Sequence, residues 1–157
     1  MTQLGVFKDD FYNAACVLPQ SGITSTTQNG GTLGAALLTG SQDQYLLVSG
    51  QAGAQALTTD TAANIIAALQ NTISVQNAAL GNPQGVQPPG VPNLNLLSYT
   101  LTINNGNTAA GAITLTAGAG VTATFGAAIA ITTSVTFVVK VTSPTTVSIT
   151  RVASGTV

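Results

Sequence analysis

The sequence predicts a mainly β chain: an antiparallel β-sandwich or small barrel of about six to eight strands, with one short helix and an extended N-terminal arm. Three observations lead there. From Tyr99 onward most large apolar residues fall on odd numbers (Leu101 and Ile103, Ile113 and Leu115, Val135, Phe137, Val139 and Val141, Val147 and Ile149), while most even neighbours are Thr, Ser or Asn. The apolar positions are largely β-branched, which suits a pleated, half-buried surface. The runs are broken by "NNGN", "AGAG" and "SPTT", the punctuation of tight turns.

Composition narrows the function. Only 4% of the 157 residues are charged, against about 25% in an average soluble chain. The whole inventory is Lys8, Asp9, Asp10, Asp43, Asp60, Lys140 and Arg151. Three scattered cations cannot neutralise a run of phosphates, so nucleic acid is not an expected partner. Anionic membranes fail on the same count. The mean hydropathy of +0.41 comes from Ala and Val, and runs such as "FVVKV" and "GAAIAI" fall far short of the roughly 20 residues that span a bilayer. Lys8, Asp9 and Asp10 stand where a signal peptide has its apolar segment, so synthesis in a cytoplasm is expected. Cys16 is the single cysteine; no internal disulfide can form, and a buried thiol beside Val17 and Leu18 is expected.

Taken in order, residues 1–19 carry the aromatics Phe7, Phe11 and Tyr12. Leu4, Phe7, Phe11, Ala14, Ala15 and Leu18 follow helical spacing, and a short amphipathic helix before Pro19 and an extended arm both fit. "QSGITSTTQNGGTLG", with its Asn29-Gly30 turn signal, reads as a loop or linker, giving an arm-and-linker unit over 1–34 and a β domain over 35–157. "DQYLLVSG" reads as a strand ended by Gly50. A helix is expected over about 60–73, capped by Thr59 or Asp60, with Ile65, Ile66, Leu69 and Ile73 on its docking side. Pro83, Pro88, Pro89 and Pro92 exclude helix and strand interior over 80–96, which must run as an extended loop. Six strands follow. No fixed period of 20–50 residues appears, which argues against a long solenoid, and the helix would close an open face or edge of the sheets.

Chemistry is scarce. His and Glu are absent, which removes the commonest general base and one of two carboxylate acids. A serine or threonine without a base is a poor nucleophile, and no G-x-S-x-G elbow occurs. The glycines of "AGAGVTATFG" stand between strands, where they serve turns and not a phosphate. An enzyme is therefore not expected, nor a metal site or a cofactor. Asp60 reads as a cap, Lys140 as an outward charge that discourages edge pairing, and Arg151 as a rim or subunit contact or a solvent-exposed residue on a frayed strand end. Phe7, Phe11 and Tyr12 are candidate anchors for a partner, or pack on the chain's own core. Pro88 and Pro89 mark a second candidate contact.

From about Ala56 to Val152 the order of features ("LTTDTAANIIAALQN", "YTLTINNGNTAAGAITLTAGAGVTATFG", "AIAITTSVTFVVKVTSPTTVSITRV") resembles a module of tailed-bacteriophage virion proteins, found on capsid decoration (cement) proteins and on some tail or fibre components. The proline-rich loop departs from that pattern, because such modules pass quickly from helix to strand. The resemblance implies a non-enzymatic structural protein on the outside of a phage capsid, made in the host cytoplasm, whose partners are the major capsid protein and copies of itself. It further implies that residues 1–34 attach to the shell or a neighbouring copy while the β module forms a trimer. The alternative it leaves open is a tail, fibre or spike component that binds a host surface receptor.

Overall fold

The computed structural model describes residues 18–79, 94, 97–108 and 111–156; in the helix that ends at residue 79, side chains are described as far as Ile73. Among them are nine strands and two helices: β1 (Ser21–Thr26), β2 (Gly31–Leu33), α1 (Ala35–Leu38), β3 (Asp43–Val48), β4 (Gln55–Thr59), α2 (Ala62–Ala79), β5 (Ser98–Asn105), β6 (Ile113–Thr116), β7 (Val121–Thr124), β8 (Thr133–Ser143) and β9 (Thr146–Thr156). The mainly β, sandwich-like architecture is the expected one. A six-stranded sheet, ordered β1-β3-β5-β8-β9-β7, accompanies a three-stranded sheet ordered β2-β4-β6.

Pairing within the sheets corrects the antiparallel expectation. Only β5-β8 and β8-β9 pair antiparallel. β1, β3 and β5 run parallel, as do β2, β4 and β6, and β7 runs parallel to β9. The first six strands are thus three strand pairs stacked in register, the connectivity of a short solenoid. Its period is hidden in the sequence because α2 and the proline-rich segment are inserted between the second and third pairs. Residues 20–34, expected to be a loop or linker, supply β1 and β2, so they belong to the β body.

Where the chain passes from one sheet to the other, amides stack across the three levels. Gln28 Nε2 donates to the carbonyls of Gly30 and Thr32. Gln51 Nε2 donates to the carbonyl of Gln28, and Asn107 Nδ2 donates to Gln51 Oε1 while Asn107 Oδ1 accepts from the Gln51 N–H. The neighbouring Asn105 donates to the carbonyls of Gly111 and Ile129. Buried polar groups are costly unless paired, and among the described residues no buried side-chain nitrogen or oxygen lacks a partner.

The odd-number register of the later strands is buried as expected: Leu101, Ile103, Val135, Phe137, Val139 and Val141 face one core. Leu46 and Val48 extend it into β3, Leu33, Leu57, Ile113 and Leu115 come from the small sheet, and Ile65, Leu69 and Ile73 come from α2. Burying each such side chain fully contributes about 1.5–3 kcal/mol, which is what holds a helix with no acidic first turn and no basic last turn. Phe125 meets Phe137 edge to face at 5.9 Å between ring centres. Of the six strands expected after Tyr99, five form. Ile129 makes only an isolated bridge to Ile113.

The expected helix exists and runs to Ala79, and its cap is Thr61 in place of the expected Thr59 or Asp60. Thr61 Oγ1 accepts from the Asn64 N–H, the geometry of an N-cap to the third helical residue. Glycine completes the junction. A Cβ on Gly118 would run into the carbonyl oxygens of Thr59 and Asp60, and Gly120 holds a φ of 75° against Ala62 and Thr145.

Candidate interaction surface

The residues singled out from the sequence as partner contacts, Phe7, Phe11, Tyr12, Pro88 and Pro89, all lie outside the described residues. Their flanks are described. Leu18 is buried, and the Pro19 carbonyl accepts from the Gln42 N–H. Downstream of the prolines, Leu94 is buried and the Leu97 carbonyl accepts from the Val141 N–H. Each segment therefore leaves from the body at an anchored point.

Four ionisable groups of the described body, Asp43, Asp60, Tyr99 and Arg151, are engaged with their own chain. Asp60 Oδ2 accepts from the Ala35 N–H, while Oδ1 accepts from the Thr61 N–H and Asn64 Nδ2. Partial desolvation pushes this carboxyl up, but the bonds from Asn64, Thr61 and Ala35 together outweigh it and hold the group below its ordinary value. Asp60 is thus a tie and not the expected cap: Thr61 caps α2, while the Asp60 carboxylate joins the start of α1 to the start of α2. Asp43 accepts from Thr100 Oγ1 at 2.5 Å. Tyr99 hands its hydroxyl hydrogen to the Leu38 carbonyl at 2.8 Å, and burial pushes the phenol up. Among the described residues no group of three His, Cys, Asp or Glu is placed to hold a metal.

Lys140 stands on β8, between β5 and β9, so it guards no edge and the reading of it as an edge charge is corrected by the strand order. Arg151 is half-buried and not frayed. Its Nη1 donates to the carbonyls of Phe125 (3.2 Å) and Ala127 (2.6 Å), gripping the chain that leaves β7.

Among the described residues, the two edges of the six-stranded sheet remain open. On β1, ladder bonds from the Asp43 N–H to the Gln20 carbonyl and from the Ser49 N–H to the Thr26 carbonyl fix the phase. Even-numbered residues turn their backbone groups to β3, and Ser21, Ile23 and Ser25 turn theirs outward. At the opposite edge β7 covers only Val147–Thr150 of β9. The Val147 N–H bonds the Gly120 carbonyl there, so Ser148 and Thr150 face β8. A register shift lies between Thr136 and Phe137 of β8, with Val152 as the extra residue of β9. Beyond it the phase reverses, leaving the backbone groups of Ser154 and Thr156 outward. The two exposed large apolar side chains among the described residues are Ile23 (81% exposed) and Val152 (56%), one at each edge.

Neither edge was singled out from the sequence. A usable signal existed in "SGITST", where a β-branched run precedes Asn-Gly, but its polarity read as a linker. Neither β1 nor the end of β9 carries a Lys, a Pro or any charge beyond Arg151, the usual means of blunting an edge. Comparison of the chain with protein-family models, with curated proteins and with solved structures gives no match.

Proposed function

We propose that this chain is a non-enzymatic structural protein of a bacteriophage virion, which binds the outside of the capsid as a decoration protein and assembles with copies of itself as a trimer. The observation that carries the reading is the way the body uses its polar groups. Asp43, Asp60, Arg151 and Tyr99 are each bonded to their own chain, and threonine hydroxyls tie neighbouring strands, as between Thr102 and Thr136 (3.0 Å) and Thr58 and Thr116 (2.8 Å). Such a surface offers contact area and backbone edges in place of reactive groups. A regular lattice of neighbours is the setting in which open, uncharged edges find cover. The resemblance of residues 56–152 to virion modules supports the same assignment.

The test is to mix the purified chain with shells of a tailed phage assembled without it and to sediment them. Saturable binding approaching the copy number of the shell protein, with a raised shell melting temperature, is expected. Failure to co-sediment would overturn the decoration role, and tens of copies per virion would place the chain on the tail or fibres.

A further inference from the structure

A three-fold cluster cannot be built from a self-complementary patch. It needs two different surfaces on each copy that fit one another head to tail. The six-stranded sheet ends in two such surfaces, and their geometry matches.

Strand direction matches first. β1 is parallel to β3 and β5, and two antiparallel steps through β8 return β9 to that direction. A rotation about an axis along the strands keeps direction, so β9 of one copy would meet β1 of the next in parallel.

Height matches as well. One row of paired residues crosses the sheet as Ile23, Tyr45, Thr102, Thr136 and Ala153. It starts on one open edge and ends on the other. Continuing the row sets the next copy's Ile23 beside Ala153, Thr24 beside Ser154, Ser25 beside Gly155 and Thr26 beside Thr156.

Hydrogen-bond phase is the third match. In a parallel pair a residue bonds to the two residues flanking its opposite number. Ile23 and Ser25, with outward backbone groups, would bond around Ala153 and Gly155, and Ser154 and Thr156 are the β9 residues whose groups face out. Ile23 would come to lie over Ala153, next to Val152. Neither segment carries charge, so nothing repels. Arg151 clears the place by holding the carbonyls of Phe125 and Ala127, which ends β7 just where the incoming strand begins.

We propose that β1 of one copy adds in parallel to the Val152–Thr156 edge of β9 in the next, closing a ring of copies through this heterologous strand pair. The proposal rests on the self-assembly part of the function proposed above, not on capsid binding, and its test uses the full chain in solution without capsids.

Ile23→Lys blocks one edge and Ala153→Lys the other. Ile23→Pro and Ser154→Pro are second variants, since each removes an N–H that points outward and none from the internal ladder. Circular dichroism and melting curves select variants that fold. By light scattering the wild-type chain is expected as a trimer. Each variant alone should fall about threefold in mass, to monomer, and a 1:1 mixture of one β1 variant with one β9 variant should recover a heterodimer through the single intact pair. A β9 variant that still assembles while the β1 variant does not would overturn the proposal, as would trimers unaffected by either variant. A monomeric wild-type chain would overturn it too, whether or not the chain binds capsids.

Discussion

Tyr99 brings one hydroxyl into the core and spends it on the Leu38 carbonyl, the last residue of α1. Tyr99→Phe keeps the ring and leaves that carbonyl unpaired, so it should cost about 1–2 kcal/mol. A lowered urea midpoint with unchanged denaturant dependence is the expected reading, and an unchanged midpoint would show that water replaces the bond. Asp60 sets a pH dependence. Its folded carboxyl is held below the ordinary value, so the stability it contributes is fully present above the unfolded carboxylate range near about 3.9 and is lost as pH falls through the lower, folded value. Melting temperatures followed from neutral to acid pH should therefore drop in that acid window, and the drop should be smaller in Asp60→Asn.

At the scale of the element, the amide stack decides whether three strand pairs stay in register. Asn107→Ala removes a donor and an acceptor from Gln51 at a buried level of the turn, and should destabilise by about 1–3 kcal/mol. Gln28, which is half-buried and bonded mainly to carbonyls of its own turn, should cost less when replaced by Ala. Equal losses at the two positions would mean that the stack does not act level by level. The α2 junction makes a sharper demand. Gly118→Val should prevent the β6–β7 turn from closing on Thr59 and Asp60, seen as loss of the cooperative thermal transition, because the clash is with backbone and not with a flexible side chain.

For the whole molecule, the boundary between arm and body moves. Leu18 is buried and Pro19 is bonded to Gln42, so a chain cut before Leu18 keeps every contact of the described body and should still melt cooperatively, within a few degrees of the full chain. If residues 1–17 carry the attachment to the shell, that shortened chain should no longer co-sediment with capsids. Retained binding would place the attachment on the β body.

Much of this was legible in the residues. Odd-number alternation from Tyr99 to Ile149 names the core side of the later strands, because a strand turns successive side chains to opposite faces whatever its partner. Ile65, Leu69 and Ile73 mark α2 by helical spacing, and glycines mark turns by the positive φ they allow, as at Gly120 and Gly126. These are local properties, fixed by chain geometry. Partner and direction are not local. A strand's pattern is the same whether its neighbour runs parallel or antiparallel, so only the tertiary structure showed that β1, β3 and β5 stack as one ladder across a long insertion. The same limit hid the edges. "SGITST" is polar because no residue of β1 is fully buried, and the odd-number register stops at Arg151 because Val152, the next residue, is extra against β8. The sequence by itself determined which side chains are buried and where the chain turns. Folding decided which strands meet and which edges stay open, since that depends on the backbone bonds each strand finds after the chain has closed on itself.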